Sequence, residues 1–281
     1  MPSPLVSADW LQANKSASDV RILDGSWFPA WVAEPDAGRA AYDRRHIPGA
    51  QFFDIDVIAD SSSDLPHMMP GPEIFTASVE EMGIGGDTHV VVYDCNNFFA
   101  SARVWWMFRT MGHENVSVLN GGLQAWLESG GETESGATAP EAAAHFTAAP
   151  KPELVVSADQ VADTLTMKRP PVLDARPADR FAGRKPEPRR ELKPGHIPGS
   201  MNVPASELVR EDGRLLDKVH LDGIVRPYAS SPAIASCGSG VSAAIIALAL
   251  AELGNWEVAI YDGSWSEWGR GEKNPVEVWK T

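Results

Sequence analysis

The chain has 281 residues, 43% of them hydrophobic and 22% charged, with two cysteines and a formal net charge of −14. That length accommodates two domains with cores of their own, and the ordinary apolar share excludes a disordered or fibrous chain. The acidic excess argues against nucleic acid and anionic membranes as partners, and two cysteines make neither a disulfide framework nor a zinc site unaided.

The opening segment, MPSPLVSADWLQAN, has no basic region and no long apolar core, so no secretory signal is expected. In chain order, residues 20–23 and 89–93 read as strands, and 102–111 and 123–128 as helices. Residues 133–153, rich in Ala, Pro, Thr and Glu, read as a linker. Beyond it, 171–173, 233–236 and 258–260 read as strands and 243–253 as a helix. The longest apolar run, 241–253, is too short to span a bilayer and contains Glu252. Strands alternating with helix-length crossovers predict an α/β fold, each half a mainly parallel sheet with helices on both faces. The expected division is 1–138, a linker over 139–153, and 154–281, in a soluble protein of a reducing cytoplasm.

The two halves are copies of one domain. Leu23-Asp24-Gly25 recurs as Leu173-Asp174-Ala175, and His46-Ile47-Pro48-Gly49-Ala50 as His196-Ile197-Pro198-Gly199-Ser200. Gly121-Gly122-Leu123-Gln124-Ala125-Trp126 likewise matches Gly263-Ser264-Trp265-Ser266-Glu267-Trp268. A period near 150 residues is far too long for a solenoid. The duplication is an internal control, because a feature present in both copies is scaffold and one present in a single copy is a functional candidate. His46 and His196 fall in the first class, each tying a Pro-Gly turn to its sheet.

Cys237 falls in the second. It follows the apolar run 233–236 and opens the loop Cys237-Gly238-Ser239-Gly240-Val241-Ser242-Ala243, which leads straight into the apolar helix. A thiol at a helix N-terminus, ringed by backbone N–H groups, is in a setting that favours an anion and suits a nucleophile. The two glycines are expected to let the backbone curl where a Cβ would clash. The first copy has Asp94 at this place and a longer loop, 95–101, so one active site per chain is expected, in the second half. Cys95, inside that longer loop, reads as a packed or idle thiol.

The paired domains, the two His-Ile-Pro-Gly turns and the cysteine loop together resemble the tandem rhodanese-like sulfurtransferases, from about Val6 to Val278. Within that family the uncharged loop resembles the branch acting on 3-mercaptopyruvate, since thiosulfate-type members usually carry basic residues there. Ser242 stands where threonine is more usual. Further stretches of likeness are Phe52-Phe53-Asp54-Ile55-Asp56, Pro66-His67-Met68-Met69-Pro70-Gly71, Arg103-Val104-Trp105-Trp106-Met107 and Tyr261-Asp262-Gly263-Ser264-Trp265.

The resemblance implies a mechanism and a set of roles. Cys237 would take sulfur from 3-mercaptopyruvate as a persulfide, releasing pyruvate, and pass it to a thiol such as thioredoxin or to cyanide. Gly238, Gly240, Val241 and Ser242 would cradle substrate and persulfide with backbone N–H groups. Ser239, His67 and Asp56 would form a relay, with Asp56 orienting His67. At the repeat offset Asp56 falls on Ser206 and His67 on Asp217, so neither is shared scaffold. Arg180 and Arg189 would grip the keto acid by paired hydrogen bonds; Arg180 falls on Ala30, whereas Arg189 falls on Arg39. Arg184, Arg190 and Lys193 read as solvated charges. No metal or organic cofactor is implied, and a monomer is expected.

Other readings meet specific obstacles. A phosphatase of the same fold needs an arginine six positions after the cysteine, where this chain has Ala243, and a longer loop. A non-catalytic rhodanese-like binding module would have lost the cysteine. A thiosulfate:cyanide sulfurtransferase shares the persulfide and is the nearest alternative.

Overall fold

The computed structural model describes residues 3–279 except 97–99, 140, 141, 143 and 272. Parts of the predicted loop 95–101 and of the predicted linker therefore lie outside the described residues. The chain forms two compact units. The first comprises Met1–Ser61, Met69–Lys151 and Val209–Leu215, and the second Ser62–Met68, Pro152–Leu208 and Leu216–Thr281.

In the first unit the elements run β1 (Leu5–Val6), α1 (Ala8–Asn14), β2 (Val20–Asp24), α2 (Ala37–Arg44), β3 (Gln51–Phe52), α3 (Pro72–Glu81), β4 (His89–Tyr93), α4 (Ser101–Thr110), β5 (Val116–Leu119) and α5 (Gly122–Glu128). Its strands lie in the order β1-β5-β4-β2-β3, every pair parallel. In the second unit they run β6 (Val155–Val156), α6 (Ala158–Met167), β7 (Val172–Asp174), α7 (Ala178–Phe181), β8 (Met201–Asn202), α8 (Lys218–Val225), β9 (Ala233–Ser236), α9 (Ala243–Glu252), β10 (Val258–Tyr261) and α10 (Ser264–Trp268). The order β6-β10-β9-β7-β8, again all parallel, repeats the first sheet strand for strand. The predicted α/β architecture and duplication are thus both present.

Local chemistry explains where the elements begin. A Ser-Ala-Asp triplet opens the first helix of each copy. Ser7 accepts the Trp10 N–H, and Ser157 forms a capping box with Gln160. The central strands are buried along their length except at His89, as strands covered on both faces must be. Helix α9 is apolar on every side and buried from Ala243 to Ala251. The matching helix α4 is equally buried despite its two arginines, whose guanidinium groups lie 4.5 Å from the Trp106 ring (Arg103) and 5.0 Å from the Trp105 ring (Arg109).

The paired histidines are scaffold, as the internal control predicts. His46 Nδ1 lies 2.8 Å from the Tyr42 carbonyl and its ring stacks on Tyr42, while His196 Nδ1 lies 2.8 Å from the Phe181 carbonyl and stacks on Phe181. Each also makes a one-residue antiparallel bridge, to Glu134 and Glu277 respectively. The second bridge docks the C-terminal tail. The segment predicted as a linker is anchored to the first unit. Phe146 is buried against Phe75 and His113, its N–H donates to Glu80 Oε1 at 2.8 Å, and the Lys151 N–H reaches the Thr110 carbonyl at 2.7 Å.

Candidate active site

Strand β9 ends at Ser236, and the next residue, Cys237, is a free thiol only 2% exposed. Residues 237–242 then turn the chain into the N-terminus of α9. The loop is held from one side by the first turn of α10. The Trp265 and Ser266 N–H groups donate to the carbonyls of Cys237 and Gly238 at 3.0 and 2.8 Å. The Ser266 hydroxyl adds a 2.7 Å bond to the Gly238 carbonyl, and the Cys237 N–H donates to Ser264 Oγ at 3.1 Å. With these carbonyls engaged, the N–H groups of Gly238, Ser239, Val241 and Ser242 make no hydrogen bond to other described residues. An anion-accepting cradle at a helix N-terminus results.

The two loop glycines differ in purpose. Gly240 has φ +79°, which glycine adopts without strain. Gly238 shows no such angle; instead, a methyl group there would touch Arg180 Nη2 at 3.4 Å. The expectation that a Cβ would clash at both glycines therefore fails at Gly238, where the contact would be an ordinary van der Waals one, while Gly240 serves the backbone.

Arg180 is one member of a chain of alternating charges. Asp174, at the end of β7, accepts Arg176 Nη2 at 2.7 Å and its Nε at 3.1 Å. Arg176 Nη1 donates to Glu187 Oε1 at 2.9 Å, and Glu187 Oε2 in turn accepts Arg180 through Nε at 3.2 Å and through Nη2. Arg176 and Glu187 are fully enclosed, and Arg176 also lies 4.3 Å from the Trp265 ring. Burial alone would pull the Arg176 guanidinium down, but Asp174, Glu187 and Cys237 together hold it above the ordinary arginine value. Arg189 joins from another side, with Nη1 donating to Ser266 Oγ at 3.2 Å. Burial holds its guanidinium below the usual value, against the pull of Glu191 and Cys237. Both predicted substrate arginines thus stand around the cysteine loop.

The other predicted residues divide between the units. Ser239 is 6% exposed in the cysteine loop. His67 is buried with left-handed φ +58° in segment Ser62–Met68, which belongs to the same unit and is tied down by Arg270 Nη1 on Asp64 Oδ2 at 3.0 Å. Asp56 belongs to the first unit, where its Oδ2 accepts the Trp27 indole N–H at 2.7 Å. Val241 is buried and Ser242 sits at the N-cap of α9. Arg184 pairs with Asp179 at the surface.

In the first copy, the place of the cysteine is filled by a carboxylate. Asp94 Oδ2 accepts the N–H groups of Ser101 and Ala100 at 2.9 and 3.2 Å, so two N–H groups at this helix start are already taken by a side-chain oxygen. Burial pushes the neighbouring Cys95 thiol above its ordinary value, with Asp24 and Asp94 adding to the effect, which supports the idle reading of that cysteine.

Sequence reasoning passed over Arg176, Glu187, Ser264 and Ser266. The internal control could have flagged them, because at the repeat offsets they fall on Ser26, Ala37, Gly122 and Gln124. Among the described residues, no group of three or more His, Cys, Asp or Glu is placed to hold a metal ion, and no helix is long and apolar enough to cross a membrane.

Comparison with known proteins adds to this geometry. The rhodanese-like domain family matches residues 7–129 and again 157–270. The 3-mercaptopyruvate sulfurtransferase of Escherichia coli (strain K12) is 44% identical over 276 residues, covering 97% of each chain. The thiosulfate sulfurtransferase of Rattus norvegicus is 42% identical over 276 residues, covering 95% of this chain and 92% of its own. The crystal structure of SseA from Escherichia coli, described as a 3-mercaptopyruvate sulfotransferase of the rhodanese fold, superposes with a TM-score of 0.83 at 42% identity, over 94% of this chain and all of that one.

Proposed function

The chain belongs to the rhodanese-like family, and we propose on that footing that it is a 3-mercaptopyruvate sulfurtransferase working through a Cys237 persulfide. The observation that carries this reading is a buried cysteine in an uncharged cradle of backbone N–H groups, flanked by Arg180 and Arg189. Relatives of nearly equal identity bear mercaptopyruvate and thiosulfate names, so the loop chemistry discriminates between them. Two arginines and an uncharged loop suit the carboxylate and ketone of an α-keto acid.

In the first half-reaction the Cys237 thiolate attacks the sulfur of 3-mercaptopyruvate. The carbon–sulfur bond breaks, and its electron pair leaves as the enolate of pyruvate. One proton taken up at carbon completes pyruvate, and the enzyme holds Cys–S–SH. The N–H groups of Gly238, Ser239, Val241 and Ser242 stabilise the Cys237 thiolate before the step and the persulfide after it. Arg180 and Arg189 fix the keto acid and favour the enolate as charge develops on its oxygen. Ser239 and His67 are assigned to moving the proton, and the resemblance gives Asp56 the part of orienting His67. In the second half-reaction an acceptor thiolate attacks the outer sulfur, forming its own persulfide and returning the Cys237 thiolate. A thiol such as thioredoxin, or cyanide, is the acceptor we assign, in a reducing cytoplasm and with a monomer as the working unit.

Two half-reactions sharing one covalent intermediate demand ping-pong kinetics. Pyruvate release measured at several acceptor concentrations should give parallel double-reciprocal lines, and Cys237→Ser should release none. Intersecting lines would point to direct transfer in a ternary complex and remove the persulfide from the turnover path.

A further inference from the structure

Glu187 lies outside every role assigned so far, yet its carboxylate binds both Arg176 and Arg180, and Arg180 reaches the cysteine loop at Gly238. Its side chain is completely enclosed, and each carboxylate oxygen binds a different arginine: Oε1 takes Arg176 and Oε2 takes Arg180. The contact with Arg180 uses Nε and Nη2, one edge of the guanidinium. The remaining nitrogen, Nη1, has no hydrogen bond among the described residues, on a side chain that is 18% exposed. Asp179, the nearest acid in sequence, is occupied elsewhere by Arg184 and Lys185. Arg176 has Asp174 as its own counter-ion, so the second carboxylate in the chain serves Arg180. We propose that Glu187 is a positioning and specificity-determining residue: it aims Arg180 over Gly238 and offsets part of its charge, so the site favours a singly charged α-keto acid over a doubly charged sulfur donor.

The physical reason is the sign of the potential at the loop. A buried carboxylate beside Arg180 lowers the positive potential felt by any anion held there, in surroundings where charges are poorly screened. That reduction costs a dianion such as thiosulfate about twice what it costs a monocarboxylate. The uncharged cysteine loop acts in the same direction.

The inference rests on the functional reading above, and its test keeps the two apart. Specificity constants for 3-mercaptopyruvate and thiosulfate, with one common acceptor, are compared in the parent, Glu187→Gln and Glu187→Asp. Glu187→Gln keeps the shape and deletes the charge, so the thiosulfate-to-mercaptopyruvate ratio should rise about tenfold, carried mainly by a lower thiosulfate KM. Glu187→Asp keeps the charge and should leave the ratio within about twofold, even if the shorter arm slows both reactions. A turnover-independent reading uses alkylation of Cys237 by iodoacetamide. Sulfate should protect the glutamine variant at about a hundredfold lower concentration than the parent, and pyruvate at about tenfold lower. Equal losses with both donors in the glutamine variant would reduce Glu187 to a structural part and overturn the proposal. So would an aspartate variant whose ratio shifts by about tenfold, an outcome that counts even if the glutamine variant does not fold. A parent that releases no pyruvate at all would sink the mercaptopyruvate reading, while the protection ratio would still decide the role of Glu187.

Discussion

At the scale of single residues, the site consists of one nucleophile and the charges that face it. Cys237 was legible in the sequence because the strand, the Gly-Ser-Gly loop and the apolar helix around it occur in one copy only. Arg180 was legible by the same control, whereas Arg189 was not, since the first copy has Arg39 at its offset. Arg176 and Glu187 escaped because a buried ion pair leaves no periodic mark on a sequence; only the packing shows that each has its counter-charge within reach. Arg180 carries a prediction of its own. Arg180→Lys keeps the positive charge but loses the paired, planar contact to the keto acid, worth about 1.5–3 kcal/mol, so kcat/KM for 3-mercaptopyruvate should fall ten- to about a hundredfold. Thiosulfate turnover, which needs no keto-acid grip, should fall much less. Equal losses with the two donors, measured side by side, would remove Arg180 from substrate binding.

At the scale of elements, each strand and helix read from the sequence lies within one residue of its expected bounds, whereas strand β5 and the ten-residue helices α3 and α6 were not read from it. Strand β9 occupies the four residues predicted for it, and α9 begins where predicted and ends one residue early. The short pieces that complete each sheet, the two-residue strands β1, β3, β6 and β8, are too brief to carry any periodicity. Helix α10 was legible as a repeat but not as the wall of the site. Its first residue, Ser264, has left-handed φ +49° where its counterpart Gly122 has +53°. Serine there carries a conformational cost of about 1–2 kcal/mol, and what it supplies in return is a hydroxyl that accepts the Cys237 N–H and donates to the Tyr261 carbonyl. Ser264→Ala keeps the strain and loses both bonds, so it should be the least stable of the three proteins. Ser264→Gly loses the bonds but relaxes the backbone, and should be about 1 kcal/mol more stable than the alanine variant in urea unfolding. An alanine variant as stable as the parent would show that the two bonds contribute nothing.

At the scale of the whole molecule, duplication followed by divergence explains why two like units differ in chemistry. Asp24 and Asp174 end matching strands, but Asp174 has Arg176 beside it, whereas Asp24 has Ser26. Without a counter-ion, burial pushes the Asp24 carboxyl up to about 6 from 3.8. Its folded pKa lies above its unfolded one, so the folded state binds the proton more tightly, and stability falls as the pH rises from about 4 to about 6. At about 1.4 kcal/mol per unit the shift corresponds to roughly 3 kcal/mol. Asp24→Asn should therefore match the parent near pH 4 and exceed it above pH 6, in melting curves taken across that range; identical pH profiles would refute the unpaired carboxylate. The first unit has thus filled its helix N-terminus with Asp94, and only the second retains a thiol there. That asymmetry leads to the most direct test of the account, intact mass after brief exposure to 3-mercaptopyruvate with pyruvate read in the same tube. The parent should gain one sulfur and release one pyruvate per chain, and Cys237→Ser should do neither. A parent that gains no sulfur and releases no pyruvate, or a serine variant that gains as much sulfur as the parent, would contradict it.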